Sequence, residues 1–245
     1  MKAYVRLEIR RMWRSPSFLV YTVLIPLTFY LLFTNIGALA GQAKNVAGIY
    51  AMISIGAYST IGTLLNYGAT LVNDRSVGWL RQLRFTPIPP TTVVYGKALT
   101  GVLLALPPVL VLCLAAALIN GVRLGAVQWL VIILLLWLGS APFALLGIAL
   151  GYVCRTQSAQ AVNFLVYFGM AAIGGLWFPL AMFPSWLREI GRLTPAHAYA
   201  DLSWRVASIG ENALVQDLIV LTVWAALFAF FGARVYRRSA ARLGS

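Results

Sequence analysis

Long apolar runs recur six times in this chain, and no other feature restricts its fold so strongly. They cover approximately 17–39, 48–72, 92–119, 127–153, 158–179 and 213–233. At 1.5 Å of rise per residue, about 20 apolar residues cross the ~30 Å hydrocarbon core of a bilayer as a helix. Within that core each backbone N–H and C=O must find its partner inside the segment, which a helix provides. The expectation is an all-α integral membrane protein with six transmembrane helices, one unit over residues 1–245. Composition agrees: 61% of residues are hydrophobic and 10% charged, against about 25% charged in a soluble domain. That is too little charge to coat a water-facing surface.

The net charge of +13 would suggest nucleic acid in a soluble protein. Here it reads as orientation, because basic residues collect in cytoplasmic loops. With six spans both termini share a side. Placing that side in the cytoplasm puts fourteen Lys and Arg inside and five outside (Lys44, Arg123, Arg188, Arg192 and Arg205). Both termini are therefore expected in the cytoplasm of a multi-pass protein, with no nucleic-acid partner. "ALA" at Ala38–Ala40 resembles a leader cleavage site, but the run from Phe18 to Leu39 exceeds a leader's apolar region of about 7–15 residues, and a retained first span is expected. Cys113 and Cys154 lack metal-ligand spacing and read as packing residues.

The span interiors carry essentially no ionisable residue. Ion-coupled carriers and intramembrane enzymes keep acids, bases or metal ligands at that depth, so energy for any work is expected from elsewhere. Pro26, Pro107, Pro108 and Pro142 read as kinks. Residues 2–14 form a predicted interfacial helix. Lys2, Arg6, Arg10 and Arg14 recur every four residues, while Val5, Ile9, Met12 and Trp13 make an apolar stripe. Ser15 and Pro16 then turn the chain into the first span.

Between the second and third runs lies "NDRSVGWLRQLRFTPIPP", residues 73–90. Asn73 or Asp74 is expected to cap a short helix with Val77, Leu80 and Leu83 on one face and Arg75, Arg81 and Arg84 elsewhere. Prolines end it from Pro87. It is too short and too charged to cross a membrane, so its apolar side rests on headgroups, on the protein's own spans, or on a cytoplasmic partner.

This stretch resembles the cytoplasmic loop of ABC-2-type transporter permeases. Asp74 and Arg75 match that family's acid and Arg, Gly78 its Gly, Leu80 and Leu83 its leucines, Thr86 and Pro87 its Thr-Pro. Ser76 stands where a second acid is common, and Trp79 where Thr is common. "SPSFLVYTVLIPLTFYLLF" is similar to the family's opening, and residues 178–205 to the segment after its fifth span. The resemblance covers nearly the whole chain and points to the daunorubicin-resistance-like drug exporter branch.

It implies a type V exporter-like fold with a coupling helix over 74–87 that docks on a separate ABC ATP-binding subunit, and an extracellular re-entrant segment over 180–212. It implies a dimer, with a second permease copy, in the bacterial inner membrane. This chain would be no enzyme, with no catalytic or metal-binding residue of its own. ATP and Mg would bind the partner, in keeping with the lack of a G-x-x-x-x-G-K-[ST] stretch. The cargo would be a hydrophobic or amphipathic small molecule. Polysaccharide or lipid-linked glycan export and ATP-independent secondary transport are the alternatives.

For a cargo cavity the candidates are Asn66, Tyr67, Asn163 and Phe168, although buried Asn also joins helices by hydrogen bonding. Gly147 and Gly151 form a small-xxx-small face expected to pack within the chain. Trp177, Phe178, Trp186 and Trp204 suit an outer aromatic belt, and membrane lipid is the remaining partner.

Overall fold

The computed structural model describes residues 6–7, 10–12, 14, 20–35, 44–76, 90–154, 157–210 and 213–242. Every regular element among them is helical. Among the described residues four helices are long and apolar enough to cross a membrane: Asn45–Asp74, Tyr95–Leu118, Ala126–Val153 and Leu214–Val235. Two shorter apolar helices, Thr22–Thr34 and Ala159–Ile173, stand where the first and fifth spans are expected.

The first span opens with a widened π turn, Val20–Leu24, that leads into α1 (Ile25–Asn35). Pro26 has no N–H to return to residue 22, and a wider turn accommodates the missing bond. α2 (Lys44–Ser76) is the centre of the bundle, and every residue from 51 to 65 on it is buried. A helix enclosed on all sides needs small residues wherever a neighbour's backbone approaches. A Cβ added at Gly68 would lie 2.2 Å from the backbone of Gly147, and one at Gly151 would lie 2.4 Å from the Gly68 carbonyl oxygen. The "GIALG" face therefore packs within the chain, against α2, as its spacing suggests.

The third and fourth spans are each broken in two. α3 (Pro90–Leu104) meets α4 (Leu106–Leu118) at Ala105, and α5 (Ala126–Leu138) meets α6 (Ala141–Val153) at Gly139 and Ser140. Pro107, Pro108 and Pro142 sit just beyond the breaks and cannot donate to the preceding turn. Side chains from other helices supply donors there. The Trp137 indole donates to the Val102 carbonyl at 2.7 Å, and the Tyr199 hydroxyl donates to the Leu136 carbonyl.

α7 (Ala159–Ile173) follows, and a glycine turn with Gly175 at φ +76° ends it, a conformation open to residues without a Cβ. Over the expected re-entrant range lie a 3-10 turn (Leu180–Met182), α8 (Ser185–Arg192) and α9 (Pro195–Val206), none long enough to cross a bilayer. Thr194 caps α9: its hydroxyl accepts from the His197 N–H at 3.2 Å with Pro195 as the first helical residue, the preferred chemistry at a helix start. Residues 195–204 are all buried, and Tyr199 reaches Thr60, midway along α2, at 2.9 Å between hydroxyls. α10 (Leu214–Arg242) packs on α6 and α9 and leaves a broad apolar face exposed.

Candidate functional site

Asp74 does not cap the start of a helix as expected: α2 runs on through Ser76. Asp74 lies in its last turn, and its carboxylate binds cations instead of capping backbone N–H groups. Lys97, in the third turn of α3, brings its Nζ to 2.8 Å from Asp74 Oδ2, with 1% and 2% of the two side chains exposed. Arg11 approaches Asp74 Oδ1 at 3.1 Å with half of its side chain in solvent. Lys97 also donates to the Thr70 hydroxyl at 3.3 Å and lies 5.0 Å from the centre of the Tyr67 ring. A buried ammonium is costly unless paired and hydrogen-bonded. Here it has a carboxylate, a hydroxyl and an aromatic face.

These charges close off a stretch of chain. Asp74 stands just before residues 77–89 and Lys97 shortly after, so one ion pair ties together the two ends of the segment that resembles a coupling helix. Arg11 adds the N-terminal segment to the same point, and Met12 is buried beside it against Tyr67 and Leu104. Arg6, Arg10 and Arg14 face outward, exposed. Lys2, Trp13, Gly78, Trp79, Leu80, Leu83, Thr86 and Pro87 lie outside the described residues, as does the side chain of Arg75.

Sequence reading missed Lys97 and Arg11 as partners of Asp74, although both counted toward orientation. The available signal was position. Lys97 follows "VVYG" and precedes "ALTGVLLAL", and an ammonium that deep in an apolar helix needs a partner.

The four cavity candidates do not converge. Tyr67 faces Lys97 and Gly101 of α3. Asn163 donates to the Leu65 carbonyl at 3.3 Å, joining α7 to α2, and Asn66 beside it is half-buried. Phe168 belongs to an aromatic chain on the α1–α2–α7 side, with its ring 4.6 Å from that of Trp177. Trp177 in turn meets Tyr58, which also touches Phe29 and Tyr167.

A second charge cluster lies at the opposite end, also unforeseen. Arg205 of α9 reaches Asp201 at 3.5 Å and Asp217 of α10 at 3.7 Å, and neither carboxylate has any exposed surface. Asp217 sits in the first turn of α10, where the helix dipole favours an anion. Trp204 corrects the belt assignment: it is buried and stacked on Tyr50 at 4.9 Å, whereas Trp186 and Phe178 are exposed. His197 is buried, its Nδ1 3.0 Å from the Gly174 carbonyl oxygen.

Comparison with known proteins fits this arrangement. The chain is similar to "Putative transport permease YvfS" of Bacillus subtilis (strain 168), 23% identical over 235 residues, 96% of each chain. It is also similar to "Putative transport permease ycf38" of Pyropia yezoensis, 23% identical over 247 residues, 90% of this chain and 83% of the other. The sequence pattern of the ABC-2 family transporter proteins matches residues 34–234, from the last two residues of α1 through the greater part of α10. An all-helical membrane bundle with paired charges at its two ends is thus the scaffold of a membrane permease, and the chain belongs to the ABC-2 family of transporter proteins.

Proposed function

We propose that this chain is the membrane-spanning half of an ATP-driven exporter that moves a hydrophobic or amphipathic small molecule, as in the drug exporter branch, out of a bacterial cell. Its partner is a separate ABC ATP-binding subunit, on which ATP and Mg bind and which supplies the energy. The partner docks on residues 74–87. The observation that carries this reading is the Asp74–Lys97 pair with Arg11 beside it. It roots both ends of the docking segment in two spans and the N-terminal segment, so force applied there reaches α2 and α3 directly. Residues 180–212 form the outer cap, with both termini in the cytoplasm. A second copy of the chain packs on the exposed side of α7, where Phe164, Leu165 and Phe168 face outward.

In this cycle the partner's closure favours one arrangement of the spans and its reopening the other. Mass spectrometry of what co-purifies with the tagged chain in gentle detergent tests the pairing. The expected result is a stoichiometric subunit with a phosphate-binding loop, lost in Leu80→Asp. Gly78→Pro is expected to abolish ATP-dependent dye efflux from cells while leaving insertion intact. Efflux that persists without such a subunit would overturn the reading.

A further inference from the structure

Two cavities of one chemical make-up lie at the Asp74 end of the bundle. One, of about 450 Å³, is bounded by Arg6, Leu7, Arg10, Arg11 and Arg14. The other, of about 340 Å³, lies on α10 beside Phe230, Ala233, Arg234 and Arg237. Packing fixes their common level. α6 runs parallel to α2, with Gly147 against Leu64 and Gly151 against Leu71, and α10 runs parallel to α6, with Gly232 against Ala149. Arg234 and Arg237 therefore leave α10 near the level of Asp74.

In both cavities guanidinium groups stand beside an apolar side chain that is itself exposed, Leu7 at 53% and Phe230 at 66%. A free inorganic anion would use the arginines and leave Leu7 and Phe230 uncovered. A glycerophospholipid carries its phosphate directly above acyl chains and covers both. The N-terminal segment is held against the bundle at this end, because Met12 is buried with Tyr67 of α2 and Leu104 of α3 while Arg11 beside it reaches Asp74. Several guanidinium groups around one cavity select an anionic headgroup over a zwitterionic one.

We propose that the cavity of Arg6, Leu7, Arg10, Arg11 and Arg14 is a binding site for an anionic glycerophospholipid, and that Arg11 links its occupancy to Asp74. Arg11 borders the cavity and also bonds Asp74 at 3.1 Å. A guanidinium has five N–H donors in a rigid fork, enough to serve a phosphate and a carboxylate at once. A bound lipid thereby fixes Arg11, and Arg11 steadies the end of α2 from which the docking segment leaves. The lipid site stands independently of the exporter reading; its effect on transport rests on that reading.

The test uses the full chain in neutral detergent with phosphatidylglycerol carrying a diazirine at the top of one acyl chain. Photolabelling is mapped to peptides. Phosphatidylglycerol is expected to label the 6–14 region at least tenfold more than the matching phosphatidylcholine, and excess inorganic phosphate or ATP should leave that labelling in place. Arg6→Gln/Arg10→Gln/Arg14→Gln should lose the preference there while keeping label near residues 230–237, which reports that the chain is still folded. Arg6→Lys/Arg10→Lys/Arg14→Lys should retain most of it. Equal labelling of the wild-type chain by the two lipids would overturn the site, and displacement by phosphate or ATP would reassign it to a soluble anion. In vesicles with the ATPase partner, Arg11→Gln should remove the difference in transport between membranes with and without phosphatidylglycerol. A difference that survives would break the link to Asp74.

Discussion

Lys97 Nζ and Asp74 Oδ2 stand 2.8 Å apart with almost no solvent on either side chain, a buried ion pair between the end of one span and the start of the next. Removing one partner strands a charge, which costs about 3–5 kcal/mol, whereas replacing both with apolar residues of similar size is near neutral. Lys97→Met and Asp74→Leu should each lower thermal stability in detergent strongly, and the double variant should recover most of it. Arg11→Gln, at a half-exposed group, should cost about 1 kcal/mol or less. Additive losses in the double variant would show that the pair is not coupled. If the pair transmits movement from the docking segment, the recovered double variant remains defective in transport.

The contact between α2 and α6 leaves no room for a methyl group. A Cβ at Gly68 would stand 2.2 Å from Gly147 backbone atoms, and one at Gly147 would stand 2.5 Å from the Leu64 carbonyl oxygen. Backbone cannot yield as a flexible side chain does, so Gly68→Ala and Gly147→Ala should cost about 3 kcal/mol or more. Gly169 of α7, with nothing within 4 Å of an added Cβ, is the control: Gly169→Ala should be neutral or gain up to about 1 kcal/mol. Fluorescence-detected size exclusion after heating reads all three.

Tyr199→Phe removes one hydroxyl that serves the Leu136 carbonyl and meets Thr60 at 2.9 Å. Leaving the carbonyl at the α5–α6 break without this donor should cost about 1–3 kcal/mol. Thr60→Val should cost less, because the Leu136 bond survives it. A cycle of Tyr199→Phe, Thr60→Val and their combination should show sub-additive losses in thermal unfolding monitored by tryptophan fluorescence.

Arg205 serves two carboxylates that are both fully buried. Arg205→Met should therefore destabilise by about 3 kcal/mol or more, and Asp217→Asn in the same background should restore part of that loss by removing one stranded charge. A cysteine pair across α9 and α10, probed for accessibility in whole cells, should report looser packing in Arg205→Met alone.

The four long membrane helices were legible because a bilayer imposes one requirement on every segment: enough apolar length with its own hydrogen bonds. The breaks at Ala105 and Gly139 were readable as proline kinks, but not their repair, since nothing in the local sequence pairs Trp137 with Val102 or Tyr199 with Leu136. The same limit hid the charge clusters. Asp74 and Arg11 each look like an ordinary boundary charge, Lys97 in its apolar run calls for a partner without naming one, and only the fold brings residues so far apart in sequence to one carboxylate. Trp204 was misplaced for a related reason: aromatic residues near a membrane surface suit the belt by composition, while α9 turns this one inward onto Tyr50. The continuation of α2 through Ser76 was missed because Asp74 looks like a helix start when its cations are unseen.

α7 has fifteen residues, about 22 Å at the rise of a helix, against a hydrocarbon layer of about 30 Å. α2 is far longer but shielded by protein, so lipid never gauges its length. Along α7 the lipid does, because Leu165 and Phe164 are exposed at 66% and 49%. Acyl chains there must compress or be excluded, and in the proposed dimer two copies that bring their α7 faces together would relieve this hydrophobic mismatch for both. Membrane thickness thus becomes a variable acting on assembly, and thicker bilayers should hold the copies together more firmly than thin ones.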